Sequence, residues 1–461
     1  MNNVNSLECT TTRGTEAKRR RPRDRLGSRR ETRGDLQSAD TTATGDTVDK
    51  SAEKPDAEAP LRSILEPPTS DVGDVDREQP TETVLVLGSG YAGTGAIKRL
   101  EARLDENAVL TWVSNVEHHL LLHETHRLIR NPNAREWITV PIEEIKQPET
   151  RFVHGEVTNI DTAERAVELD DGSTIGYDYL VVALGSRTAF FGVDGLEEYA
   201  LTLDSLDDAL AIHDALEAAM DGASEDDPAR VIVGGAGLAG VQCAGEIAAF
   251  RDGHGASLEI TLVEGHAHVH PNNDPELQGR IRKQLRERDI ELETGRFVRG
   301  VDETMVHFED EGELEYDVLL WTGGITARHT VEMLPGDIEH RHRVPVSSTF
   351  ETGDDRVFTV GDSAFIPGEG DPMPPTAQAA RQAAAVAAEN VVRTMRDRPL
   401  ETWSYEDRGT LVSVGDATIA HDVTGIPLTT FGGPAARFLK RTVTAVWLAR
   451  VASLTRAIRI W

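Results

Sequence analysis

Val84-Leu85-Val86-Leu87 is a short unbroken apolar run, the pattern of a strand buried on both faces, and glycines interrupt it at once. Gly88-Ser89-Gly90-Tyr91-Ala92-Gly93 then opens a helical stretch to about Leu104, and a second apolar strand follows at Val109–Val113. The same order returns 147 positions later. Val231-Ile232-Val233 leads into Gly235-Ala236-Gly237-Leu238-Ala239-Gly240, a helix to Phe250, and a strand over Leu258–Glu264. Strand, glycine turn, helix and strand make a βαβ unit, so the chain predicts an α/β fold with two nested Rossmann-like units.

The glycines carry chemistry. In such a unit Gly88 and Gly235 make the tight turn, Gly90 and Gly237 let backbone approach a pyrophosphate, and Gly93 and Gly240 let helix and strand pack closely. The pyrophosphate is then held at a positive helix N-terminus. One such motif is weak evidence; two, each after an apolar strand and before a helix, are strong. Glu264 ends the second strand of the second unit, where a carboxylate binds ribose hydroxyls and repels a 2′-phosphate, so NADH is favoured over NADPH. The corresponding place in the first unit holds Ser114, with Glu117 three residues on; a hydroxyl still serves a ribose, more weakly. His266, His268 and His270 follow Glu264 without a Cys or patterned acidic partner and read as a surface loop, so no metal is expected.

Other segments lack this order. Residues 1 to about 79 have little apolar periodicity, basic first and acidic after, and are expected to be disordered. The remainder divides into one dinucleotide domain over 80–205 and 325–395, a second inserted over 206–324, and a C-terminal region over 396–461. From Ala435 to Trp461 there are six basic residues and no acidic one. Phe438, Val443, Val446, Trp447, Val451, Leu454, Ile458 and Trp461 recur there at three- and four-residue spacing. A cationic amphipathic helix with tryptophans suits a membrane interface, lying in it rather than crossing it; packing back on the acidic body is the competing reading.

The bulk balance narrows the setting. Across 461 residues, 79 acidic and 48 basic side chains give a formal net charge of −31, with 41 Arg and only 7 Lys. Such a surface repels nucleic acid and favours a salty cytoplasm over an acidic docking face. Cys9 and Cys243 form no CxxC, so neither zinc nor a redox dithiol is signalled. No run of about 18 apolar residues occurs, and Arg19-Arg20-Arg21 lacks the apolar region that a twin-arginine signal needs.

Further motifs bring a resemblance. Tyr177–Ser186, with Gly185, and Tyr316–Gly324, with Gly323, resemble the segments that close the FAD and NAD domains of two-dinucleotide-binding-domain flavoproteins, and Val357–Asp362 resembles their second FAD motif. Pro374-Pro375-Thr376-Ala377-Gln378-Ala379-Ala380-Arg381-Gln382 is similar to a segment of the type II NADH dehydrogenases, single-subunit, non-proton-pumping NADH:quinone oxidoreductases. That resemblance implies FAD at Gly88, Gly90, Gly93, Ser114, Val157, Gly185, Gly361 and Asp362. It implies NADH at Gly235, Gly237, Gly240, Glu264 and Gly323, and a helix N-terminus at the flavin with Gln378 beside the quinone. It further implies a catalytic neighbourhood at Gln242 and Glu246, although relatives carry a glutamate where this chain has Gln242, so a proton relay there is in question. His118, His119, His123 and Glu124 fall in a histidine-containing run read as flavin-domain packing. The implied enzyme is peripheral, on the cytoplasmic face of the cell membrane, with a membrane quinone as partner. The sequence leaves open a homodimer, a soluble NADH-dependent ferredoxin- or rubredoxin-type reductase, and a flavin-fold NADH sensor.

Overall fold

The computed structural model describes residues 82–335, 342–366 and 373–461. The segment 1–79 expected to be disordered lies outside the described residues, as do Cys9 and Arg19 to Arg21. The first sheet is wholly parallel and contains β1 (Glu82–Leu87), β2 (Ala108–Ser114), β3 (Arg151–His154) and β4 (Tyr179–Val182). The late strand Val357–Thr359 joins it to give the order Val357–Thr359, β4, β1, β2, β3. Helix α1 (Tyr91–Glu101) connects β1 to β2. The second sheet is β5 (Ala229–Gly234), β6 (Leu258–Glu264), β7 (Ile290–Thr294) and β8 (Val318–Trp321), parallel in the order β7, β6, β5, β8, with α2 (Leu238–His254) between β5 and β6. The duplication extends further than the glycines. Each unit carries a three-stranded antiparallel meander before its closing strand, at 157–176 and at 298–315. Val84–Leu87 and Val231–Gly234 are buried throughout, as the unbroken apolar runs require.

The chain crosses between sheets twice, and the crossings pair: Ser186–Thr188 runs antiparallel to Ile325–Ala327. Beyond the first crossing, Asp194 bridges to Gly300, Leu201 bridges to Leu320, and Leu196 packs with Ile232 and Val263. Residues 189–201 therefore pack with the second sheet. The reason is apolar: Leu196 is fully buried there, and no periodicity in so short a segment announces it.

Residues 396–461 do not form a separate layer. A meander at 410–432 sets Val412, Val414 and Ile419 into the second core, and Gly245 on α2 lets its turn reach backbone contact, since a Cβ there would lie 2.4 Å from Gly415 N. Helix α3 (Ala377–Met395) packs alanines against α1. Helix α4 (Pro434–Val451) packs Trp447, Leu448 and Val451 into the first core, and a short helix follows at Leu454–Ile458. The eight apolar residues read as one interface thus split. Trp447 and Val451 are buried, while Phe438, Val443, Val446, Leu454, Ile458 and Trp461 remain exposed. Among the described residues no helix is long and apolar enough to cross a membrane.

Candidate functional site

The two glycine turns have the same build. Gly88 and Gly235 sit at φ +99° and +91°, and a Cβ on Gly88 would lie 2.2 Å from Ala183 O. Cβ atoms on Gly93 and Gly240 would lie 1.9 Å from Gly88 O and 1.8 Å from Gly235 O, so close packing forbids a side chain at either. Gly90 and Gly237 differ: nothing lies within 4 Å of a Cβ placed on them. They cap α1 and α2 without a side-chain hydrogen bond and without an acidic residue in the first turn. The free N–H groups of both helix starts therefore face open space, as anion cradles require. Gly323 packs beneath the second turn, its Cα 2.6 Å from a Cβ on Gly235.

A cavity of about 960 Å³ begins at the first cradle. Gly88, Gly90, Ser114, Val157, Gly185, Gly361 and Asp362 line it. Ser114 Oγ lies 2.9 Å from Ser89 Oγ and accepts from Val116 N. Asp362 accepts a hydrogen bond from Ser186 Oγ at 2.9 Å, and burial pushes its carboxyl up despite that bond. Gly361, at φ +69°, brings this turn against Ala92. The opposite wall comes from the second unit: Leu238, Gln242, Trp321, Thr322 and Gly324. Glu264 stands outside this cavity at the second cradle. One of its oxygens accepts from Ala236 N (2.8 Å) and the other from His266 N (2.9 Å), leaving a lone pair on each for a ribose hydroxyl.

Where α2, α4 and the first unit meet, the cavity wall is polar. Lys440 Nζ is buried, donates to Gln242 Oε1 (2.8 Å) and Ser413 Oγ (2.9 Å), and lies 3.7 Å from Glu124 Oε1. Burial pushes the Lys440 ammonium down to about 8, against the pull of Glu124. Burial raises the Glu124 carboxyl, but Lys440 and Arg127 together hold it below the usual carboxylate range. His123 Nδ1 lies 2.6 Å from Tyr91 Oη and Nε2 lies 3.1 Å from Thr444 Oγ1. His119 Nδ1 donates to Ser89 O (2.8 Å) while Nε2 accepts from Trp447 Nε1 (2.9 Å), which fixes a neutral tautomer. Burial pushes both histidines down to about 4.

The chain is similar to known proteins over most of its described length. The pyridine nucleotide-disulphide oxidoreductase family matches residues 82–384. A type II NADH:quinone oxidoreductase from Staphylococcus saprophyticus is 30% identical over 388 residues, covering 79% of this chain and 94% of that protein. The chain is a member of this family. NDH2 from Plasmodium falciparum, solved in complex with NADH, shares the fold at a TM-score of 0.69 and 18% identity, over 82% of this chain and 97% of that one. The sulfide:quinone oxidoreductase of Aquifex aeolicus follows at 0.68 and 19%, over 81% of this chain and 92% of that one.

The cofactors of the family, FAD and NADH, fit the two cradles. Gly90 and Gly237 leave the volume that a Cβ would fill, helix N-termini supply donors, and the cavity extends from the first cradle to the second unit. Family placement does not bring every expected residue to the cavity. Glu246 is fully buried but does not line it; Arg130 Nε stands 3.0 Å from its carboxylate, and burial pushes its pKa up. Its ion pair with Arg130 holds α2 against the first unit. Gln378 lies on the first turn of α3, whose neighbours Pro375, Thr376, Ala377 and Ala380 line the cavity, but its amide turns away to donate to Tyr405 Oη at 2.7 Å. Gln382 is likewise held, exchanging two hydrogen bonds with the Glu406 backbone.

Lys440, Tyr91 and His126 line the cavity and were not singled out from the sequence for chemistry. One signal existed for Lys440: it is one of 7 lysines in a chain with 41 arginines. An arginine there would be permanently charged, whereas a lysine can shed its proton when buried.

Proposed function

We propose that the chain oxidises NADH and passes the electrons to a membrane quinone as a peripheral, non-pumping enzyme on the cytoplasmic face of the cell membrane. The observation that carries this reading is the shared cavity, whose walls come from both dinucleotide units of a family named for that reaction. Bound there, FAD would supply the two-electron chemistry that links hydride from NADH to reduction of the acceptor. Gly88, Gly90, Gly93, Gly185, Gly361 and Asp362, with Ser114 and Val157, would hold the FAD. Gly235, Gly237, Gly240, Gly323 and Glu264 would hold the NADH. Thr376 caps α3 by accepting from Ala379 N, so this helix presents its positive end to the cavity and favours negative charge beside it. Trp321 and Thr322 close the opposite wall. Gln242 carries no exchangeable charge at neutral pH, so the proton for the acceptor is held on Lys440 Nζ, with Gln242 Oε1 orienting it and Glu124 balancing it. Gln378 would reach the acceptor only by giving up its hydrogen bonds to Tyr405 Oη and Asp407 Oδ1.

Membrane docking is supported by α4 and the helix after it. Phe438 (61% exposed), Leu454 (73%) and Ile458 (69%), with Val443, Val446 and Trp461, form an outward apolar set beside the exposed Arg437, Arg441, Arg450 and Arg459. Deleting residues 435–461 would remove Lys440 and Trp447 as well, so the discriminating variant is Leu454→Glu with Ile458→Glu. That protein is expected to keep NADH:dye activity and lose both co-flotation with lipid vesicles and quinone turnover. Full activity with ferredoxin, and none with quinone, would refute the reading.

A further inference from the structure

Gly265, immediately after Glu264, has no positive φ to explain it. What excludes a side chain is the ring of Phe297: a Cβ on Gly265 would lie 2.5 and 2.6 Å from two of its atoms. The ring therefore lies flat on the backbone next to the expected ribose partner, yet it is 51% exposed. His266 pads its edge, with centroids 5.8 Å apart and planes at 78°. The loop that carries it is fixed. Gly295 N and Arg296 N donate to Glu264 O at 2.8 and 3.2 Å, and Glu309 N donates to Phe297 O at 3.0 Å. Arg296 is committed elsewhere: it pairs with Asp310 and Glu293 and lies over the Phe308 ring. It is thus not free to meet a 2′-phosphate.

A rigid, half-exposed aromatic ring on open backbone is an unusual surface for so acidic a chain. Folding gains little from it, because its free side faces water. A flat π-surface one residue from the ribose partner suits a flat heteroaromatic base, since the adenine of a dinucleotide projects from the same ribose. We infer that Phe297 is the stacking platform for the adenine of NADH, a positioning and affinity residue of the second site. The inference rests on the NADH reading above. Phe297 orders the adenosine end, Glu264 grips the ribose, Gly237 admits the pyrophosphate, and the nicotinamide is delivered to the cavity from a fixed anchor.

The test compares ligands with and without adenine. In Phe297→Ala, ADP-ribose affinity measured by calorimetry is expected to fall about ten-fold or more, the usual loss when a base-stacking aromatic is truncated. The KM for NADH is expected to rise to match, with kcat unchanged. Turnover of reduced nicotinamide mononucleotide, which lacks adenosine, is expected to stay at the wild-type value. Phe297→Trp is expected to keep ADP-ribose binding, and Phe297→Leu, which keeps the apolar bulk without the π-face, to lose it. Wild-type ADP-ribose affinity in Phe297→Ala, or equal losses with both reduced nucleotides, would overturn the inference. A wild-type chain that binds ADP-ribose not at all would bring down the NADH reading itself, so the two failures are distinguishable.

Discussion

Gly237→Ala separates the cradle from the fold. Gly237 sits at φ −68° and ψ −173°, a conformation that alanine adopts freely, and nothing lies within 4 Å of the added methyl. Folding therefore does not resist the change. A Gly→Ala exchange in a compatible conformation stabilises by about 0.4–1 kcal/mol, because the unfolded chain loses freedom. The methyl instead occupies the volume where the pyrophosphate meets the α2 N-terminus. Losing one charge-assisted hydrogen bond costs about 1.5–3 kcal/mol, so NADH affinity is expected to fall about ten- to a hundred-fold. Gly240→Ala is the control. Its Cβ would lie 1.8 Å from Gly235 O and 2.6 Å from Thr322 Oγ1, and overpacking of that kind costs about 1–3 kcal/mol of stability. Urea denaturation, flavin content by absorbance, and NADH titration read the two variants together. Gly237→Ala is expected to keep its flavin and to hold or slightly raise its urea midpoint while its NADH affinity drops. A Gly237→Ala protein with wild-type NADH affinity would refute the cradle, and one that fails to fold would refute the geometry.

Three further outcomes follow from the site and the charge. Lys440→Met is expected to keep NADH:dye activity and to lose about a hundred-fold in quinone turnover, the usual weight of a positioned proton donor. In the wild type that turnover falls as pH rises through about 8; a wild-type-like pH profile in the variant would remove Lys440 from the reaction. His119 is buried at about 4 against 6.5 in the unfolded chain, so the unfolded state binds more protons between those values. Stability is then lost as pH falls through that window, by about 3 kcal/mol at most, and urea midpoints in His119→Gln are expected to show a slope one proton shallower. With a net charge of −31, surface carboxylates repel until salt screens them, and the Debye length falls from about 10 Å at 0.1 M to 3 Å at 1 M. The urea midpoint is expected to rise steadily from 0.1 to 2 M KCl; a flat response would remove the high-salt reading.

What the sequence made legible is what depends on neighbours in the chain. Both βαβ units, the strand at Leu258–Glu264, the tight turns at Gly88 and Gly235 and the close packing at Gly93 and Gly240 rest on local pattern, and each has its geometry in the structure. What it hid depends on contacts between distant segments. Lys440 meets Gln242 across 198 positions, and Trp447 meets His119 across 328. The three-and-four spacing along α4 could not tell which apolar residues face the body, because apolar positions run most of the way round the helix. Trp447 and Val451 are buried, while Phe438, Val443 and Val446 are exposed. Glu246, expected in the catalytic neighbourhood, is buried and paired with Arg130, an arginine from the first unit that no local pattern links to it. Gln378 was placed correctly on α3, yet its rotamer answers to Tyr405, 27 positions on.

The paired crossings at Ser186–Thr188 and Ile325–Ala327 have a mechanical meaning. Two independent tethers would let one sheet twist and slide against the other. Here the two tethers hydrogen-bond into a ribbon, and Thr188 is pinned besides, its N–H and hydroxyl both donating to Asp204. A ribbon flexes across its face and resists shear in its plane, because shear would break the ladder. The ribbon, with Thr188 tied to Asp204, therefore keeps the two cradles in lateral register.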